Sequence, residues 1–423
     1  MKIVITGTGA ICGAGASPHA IVNAALEGRS AIGEIQSFDT AGWPRSRAAE
    51  VVDYNAGKLA GDRKLLKLIR RSDVFGLYAA AQAIDQAQFA AFRETLAEGD
   101  DVAFAEATGC YVGSGCAFNV NYDYFPLMAQ AGGDMKSFGH ELASTVNPMW
   151  LLRTLPNNVL CHVGIRHNFK GVNGCITHHT TGGMLAVIEG AQAIRDGEAE
   201  RVIAAGHEAP IEPQMVLYYH RCGLIAEETI RPFDARHDGS VLGEGAAALV
   251  LETESSARAR NASIIGEYLG GGDAAEGEGL LALRADGDGP TRAIQAALDD
   301  AGIGASDIGL IVAHANGTPQ SDASEVAALR RVFGKGMPPV TGFKWVTGHP
   351  LAASGILDMT LGLEAARRNV APGIANLEAL DPACADVNAS CETRALQSDA
   401  NVLVICRGFG GTNTAVVLRA VSP

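Results

Sequence analysis

Apolar residues along the chain come in short unbroken runs closed by glycine or polar turns, and these runs alternate with longer stretches of helical spacing. The first half reads as strand Lys2–Thr6, strand Gly109–Gly113, helix Thr181–Asp196, strand Arg201–Ala205 and apolar strand Gly245–Glu252. The second half reads as strand Ala262–Leu269, helix Pro290–Ala301, strand Ile308–Ala313, helix Leu351–Arg368, and strands Val402–Cys406 and Ala415–Ala420. Each half closes with a strand, a glycine-bearing turn and another strand. The pattern predicts an α/β protein that repeats its own plan, with halves 1–252 and 253–423 meeting at the polar segment Thr253–Asn261. Segment Gly270–Gly289, rich in Gly, Asp and Glu, reads as a surface loop. Within helix Gly182–Arg195, Met184, Ala186, Val187, Gly190, Ala191, Ala193 and Ile194 make it apolar nearly all round, so this helix should be buried. Its first turn would gather partial positive charge and unpaired N–H groups beside Thr180 and Thr181.

Composition narrows the picture. With 47% hydrophobic residues and 51 glycines in 423 residues, the chain can bury a large, tightly turned core. No apolar run approaches the roughly 20 residues of a membrane span. The start, Met1-Lys2-Ile3-Val4-Ile5, reads as a strand rather than a secretory leader, so a cytoplasmic location is expected. The nine cysteines (Cys12, Cys110, Cys116, Cys161, Cys175, Cys222, Cys384, Cys391 and Cys406) lack CxxC spacing and are expected to be reduced, without a metal site. A net charge of −14 argues against nucleic-acid binding. Against it stands one basic run of six residues: Lys58, Arg63, Lys64, Lys67, Arg70 and Arg71, opposed only by Asp62. Such a run is either a solvated helix face or a docking patch for an acidic partner.

Three C-terminal segments carry the chemistry: Ala313-His314-Ala315-Asn316-Gly317-Thr318, Lys344-Trp345-Val346-Thr347-Gly348-His349 and Gly408-Phe409-Gly410-Gly411-Thr412-Asn413. With Gly113-Ser114-Gly115, Arg231-Pro232-Phe233-Asp234, Gly243-Glu244-Gly245-Ala246 and the segment Gly171–Glu208, their order and spacing resemble the β-ketoacyl-acyl-carrier-protein synthases of the thiolase superfamily over essentially the whole chain. The resemblance implies a five-layer αβαβα sandwich of two similar halves. It also implies a decarboxylative condensation of acyl and malonyl groups delivered on the phosphopantetheine arm of an acyl carrier protein, with no bound cofactor. By that resemblance His314 and His349 donate hydrogen bonds to the developing enolate oxygen, assistance worth ~3–4 kcal/mol for a single donor. Lys344 matches the family's active-site lysine, with Glu325 expected as its partner. Phe409 matches the aromatic of the gating glycine loop, and Thr318 a residue of the pantetheine channel. Asn316 stands where the family usually has Thr.

One departure decides the functional reading. The family's nucleophilic Cys opens the buried helix, and ungapped placement puts Thr180 there. A Thr hydroxyl has no accessible anion at neutral pH, whereas a thiol near ~8.5 can be ionised by a helix terminus. Attack by Thr180 would need a base, for which His178 and His179 are the neighbours in sequence, and Cys175 could serve only if the loop were rearranged. The expected roles are therefore malonyl-thioester decarboxylation for priming, or pocket-shaping beside a Cys-bearing synthase, as in chain-length-factor subunits. Autonomous condensation through Thr180 or Cys175 is the alternative. The pathway, whether fatty acid, polyketide or aryl polyene, is open. The segment Gly171–Thr177 is expected to pair across a homodimer or heterodimer axis.

Overall fold

The computed structural model describes residues 1–115 and 124–422; Cys116, one of the nine cysteines above, lies outside them. Among the described residues, ten strands form the main sheet system: β1 Ile3–Cys12, β2 Thr108–Ser114, β3 Asn173–Ile176, β4 Arg201–Glu208, β5 Gly245–Thr253, β6 Gly266–Ala275, β7 Ile308–Val312, β8 Val340–Thr341, β9 Asn401–Gly408 and β10 Thr412–Ala420. The first five are ordered β3-β2-β4-β5-β1 and the second five β8-β7-β9-β10-β6, the same order twice. In both, three strands are parallel and the last two antiparallel. The halves join where β1 pairs with β6, Ile3 opposite Tyr268 and Ile5 opposite Gly266.

Five helices complete the layers: α1 Arg71–Gln86, α2 Gly182–Arg195, α3 Asp288–Ala301, α4 Pro319–Phe333 and α5 Ser354–Arg367. Helix α1 covers one outer face against β1, β4 and β5, and α3 covers the other against β6 and β10. Helices α2 and α5 touch strands of both halves and fill the middle. The result is the αβαβα sandwich that the resemblance implied. The central position of α2 follows from its sequence, because a helix apolar nearly all round, with Glu189 and Gln192 its exposed residues, needs apolar partners on most sides. Its first turn sits hard against β2, where a Cβ added at Gly113 would lie 2.2 Å from the Gly183 nitrogen.

Part of the expected loop Gly270–Gly289 is strand. β6 runs on through Gly270, Gly271 and Gly272 to Ala275, paired with β10. Here the glycines permit close packing rather than a turn. A Cβ on Gly270 would fall 2.4 Å from the Ala301 nitrogen, and one on Gly272 would fall 2.6 Å from the Ala296 Cβ, both on α3. Among the described residues no helix is long and apolar enough to cross a membrane.

Candidate functional site

The strand ends deliver the sequence-predicted residues to one place. Thr180 lies in the turn His179–Thr181 between β3 and α2, His314 follows β7, His349 follows the short helix Lys344–Thr347, and Phe409 follows β9. With His179, Tyr219, Asn316, Thr318, Leu280 and Leu281 they line a cavity of about 90 Å³. No cysteine lines it among the described residues. Cys175 sits on the edge strand β3, opposite Val112, and burial pushes its thiol up to about 11.

The His314 and His349 rings meet edge to face at 5.3 Å. The Arg407 N–H donates to His314 Nδ1 at 3.3 Å, and the Leu351 N–H donates to His349 Nδ1 at 3.3 Å. With Nδ1 accepting in each ring, the proton of the neutral imidazole belongs on Nε2. Burial holds both rings well below the usual histidine range, and the Lys344 cation reinforces it. The site thus contains two neutral imidazoles, each with one N–H to give.

Lys344 is fully buried behind them. Its ammonium pairs with Asp358 of α5 at 2.6 Å, which corrects the expected pairing with Glu325. The Glu325 carboxylate instead accepts from the His314 N–H at 2.7 Å and the Ala315 N–H at 2.9 Å. It clamps the His314 loop, in which Ala315 holds a left-handed φ of +47°. Burial raises the Glu325 carboxyl to about 7. Comparable non-glycine backbone strain marks the other two loops, with φ of +35° at His179 and +37° at Leu351. Thr318 caps α4 and turns its hydroxyl to Asn316 Oδ1 at 2.8 Å.

Thr180, 1% exposed, has its Oγ1 2.8 Å from Nδ1 of His179, whose Nε2 lies 2.6 Å from the Tyr219 hydroxyl. The His179 ring stacks on Phe409 at 4.3 Å and is driven down to about 4 by burial and by His178. His178 instead faces Thr181, with Nδ1 2.8 Å from its Oγ1. The turn bearing Phe409 has left-handed Gly410 and Gly411, and Gly410 N–H donates to the Leu280 carbonyl at 2.8 Å. Tyr219, Asp358 and a leucine lip formed by the exposed Leu280 and Leu281 at the cavity were not anticipated from sequence.

The comparisons decide the family. The beta-ketoacyl synthase N-terminal domain matches residues 1–257 and the C-terminal domain residues 265–378. The chain belongs to the beta-ketoacyl synthase family. A curated relative, 3-oxoacyl-(acyl-carrier-protein) synthase 2 of Coxiella burnetii, is 30% identical, with 99% of each chain covered. Nodulation protein E of Rhizobium meliloti is also 30% identical, with 99% of each covered. Among solved structures, the ishigamide ketosynthase/chain length factor superposes with a TM-score of 0.85 at 27% identity, covering 100% of this chain and 99% of that one. A beta-ketoacyl synthase from Burkholderia phymatum gives 0.86 at 27%, with 99% of each covered. This places the synthase-family chain in fatty acid or polyketide synthesis.

The expected six-residue basic patch is smaller in the fold. Lys58, Arg63, Lys64 and Lys67 are exposed on a short helix and a 3₁₀ turn. Arg70 is buried, and its backbone N–H and guanidinium both donate to Asp73. Arg71 is bound to the buried Glu244 at 2.7 Å, and also donates to the Tyr54 hydroxyl and the Val51 carbonyl. These two arginines hold structure together instead of presenting free charge.

Proposed function

We propose that this chain decarboxylates a malonyl group presented as a thioester on the phosphopantetheine arm of an acyl carrier protein, and that Thr180 stands where condensing relatives carry their nucleophilic Cys. The observation that carries this reading is the pair of neutral imidazoles, His314 and His349, sharing a cavity with a threonine hydroxyl and, among the described residues, no thiol. Loss of carbon dioxide moves negative charge onto the thioester oxygen. Two Nε2–H groups in a buried, poorly solvated site are suited to receive it, because they are already oriented and cost no solvent reorganisation. Lys344 and Asp358 set the local field, and Glu325 holds the His314 loop. Phe409 and the leucine lip exclude water. Thr318 and Asn316 line the way in for the arm, and no bound cofactor is required for these steps. Carrier docking falls to Lys58, Arg63, Lys64 and Lys67, the exposed part of the basic run on an acidic chain. The test is carbon dioxide release from malonyl-carrier protein by the purified chain, abolished in His314→Ala.

A second reading, a pocket-shaping subunit in a synthase heterodimer, is favoured by the edge. Strand β3 ends the sheet with β2 as its only strand partner among the described residues. Large apolar side chains stand exposed on the same half, including Met128 (55%), Leu151 (62%) and Ile165 (76%). An unpaired edge beside apolar surface calls for a partner chain. The dimer is either a homodimer or a heterodimer with a Cys-bearing synthase. Native mass spectrometry after co-expression with such a homologue distinguishes them, and a stable monomer at micromolar concentration refutes both.

A further inference from the structure

We infer that Tyr219, His179 and Thr180 form a proton relay that quenches the carbanion left when the thioester-bound malonyl group loses carbon dioxide. The inference rests on the decarboxylase reading above and assigns the step that completes it. The three polar groups form a continuous chain: Tyr219 hydroxyl to His179 Nε2 at 2.6 Å, then His179 Nδ1 to Thr180 Oγ1 at 2.8 Å. The chain ends inside the cavity lined by His314 and His349, where the enolate would be held. The His179 ring has little freedom, because it stacks on Phe409 at an interplanar angle of 14° and its backbone is held at a left-handed φ.

Decarboxylation alone leaves the product one proton short. The malonyl carboxylate departs as carbon dioxide, and its bonding electron pair stays on the α-carbon, delocalised into the thioester carbonyl. His314 and His349 are occupied as donors to that oxygen, and losing either proton would undo the stabilisation. Thr180 offers an O–H at the place where a condensing relative holds its acyl group, which is where the carbanion points in condensation. An alkanol is a stronger acid than the α-carbon of a thioester, so transfer from oxygen to carbon runs downhill.

The protons balance along the chain. Thr180 Oγ–H goes to the α-carbon, giving the acetyl thioester. The Thr180 oxygen takes the Nδ1 proton of His179, and Nε2 takes the Tyr219 phenolic proton. Solvent returns a proton to the tyrosine. The direction requires neutral His179 with its proton on Nδ1, and burial holds this ring neutral at pH 7. It also explains how a hydroxyl that makes a poor nucleophile serves the reaction.

By microscopic reversibility the same relay exchanges the methyl protons of an acetyl thioester with solvent. The experiment incubates wild type, Thr180→Val, Thr180→Ser, His179→Phe and Tyr219→Phe with acetyl-pantetheine in D₂O, reading methyl deuteration by mass spectrometry. Carbon dioxide release from malonyl-pantetheine is measured in parallel. Wild type should deuterate the methyl well above the buffer rate, and Thr180→Ser should retain this. Thr180→Val and His179→Phe should lose at least tenfold, and Tyr219→Phe, which removes a single oxygen, should also slow exchange. In Thr180→Val and His179→Phe methyl exchange should fall further than carbon dioxide release, because loss of carbon dioxide itself takes no proton from the relay. A wild type that decarboxylates but deuterates no faster than buffer, or a Thr180→Val that exchanges like wild type, overturns the relay. So does an acyl adduct on Thr180, which would mean that His179 withdraws the proton instead. Absence of carbon dioxide release from wild type refutes the decarboxylase reading itself.

Discussion

Replacing Lys344 by Met removes one partner of a fully buried ion pair beside the site. Lys344 and Asp358 have side chains 1% and 2% exposed and sit 2.6 Å apart. Breaking such a pair from one side strands a charge away from water, at a cost of ~3–5 kcal/mol. Burial already lifts the Asp358 carboxyl above its ordinary value, and the ammonium is what opposes the lift. Without Lys344 the carboxyl should therefore take up a proton, placing the loss toward the lower end of that range. Asp358→Leu should be the costlier single change, because the ammonium that remains is fully buried. The double variant Lys344→Met/Asp358→Leu removes both charges and should be more stable than at least one single variant. Chemical denaturation of the four proteins, taken as a double-mutant cycle, reads the coupling directly. Single-variant costs that add to the double-variant cost within ~0.5 kcal/mol would refute the pairing. A Glu325→Gln variant included in the same series should show no coupling to Lys344, because its carboxylate bonds to backbone N–H groups instead.

Further outcomes concern chemistry and docking. Wild type incubated with acyl-carrier protein should carry no acyl mass, whereas Thr180→Cys should gain one; an adduct on wild-type Thr180 would show a base-activated hydroxyl. Decarboxylation should be flat from pH 8 to below 6.5, because His314 and His349 keep folded values well below 6.5 and stay neutral until acid reaches them. In Lys344→Met the acid limb should move upward, since the removed cation is one cause of the lowering; a wild-type midpoint at 6.5 would refute the assigned burial effect. Charge reversal at Lys58, Arg63, Lys64 and Lys67 should weaken carrier association most at low salt and leave stability within ~0.5 kcal/mol. Arg71→Glu should instead destabilise the fold by a few kcal/mol, since it places a second carboxylate against buried Glu244.

Periodicity and glycine placement made the repeated half and the central helix legible, because a helix apolar nearly all round belongs between layers. The motif order grouped Thr180, His314, His349 and Phe409, and these four line one cavity. Other parts depended on orientation that spacing does not encode. Glu325 was expected from the resemblance to pair with Lys344, yet α4 aims it at the His314 loop. The signal for the true partner was a lone acid, Asp358, in the apolar run Ile356–Leu363, since a carboxylate there must be paired. Arg70 and Arg71 looked like surface charge in a basic run, but Asp73 and Glu244 lie under them at the start of α1. Gly270–Gly272 looked like a loop because composition does not distinguish a turn from a strand pressed by a helix. The contact from His179 to Thr180 needs a positive φ at a non-glycine residue, and Tyr219 comes from a distant helix, so neither had a local signature.

Decarboxylation of a malonyl thioester is the work proposed for His314 and His349. The most direct measurement is the rate of carbon dioxide release from malonyl-carrier protein by the purified chain alone, with His314→Ala and His349→Ala beside it. Acetyl-carrier protein should be the product, and each variant should be slower by about 10²–10³-fold, the loss expected for one oxyanion donor. Release at the same rate from wild type and both variants, or none from wild type, would contradict that assignment.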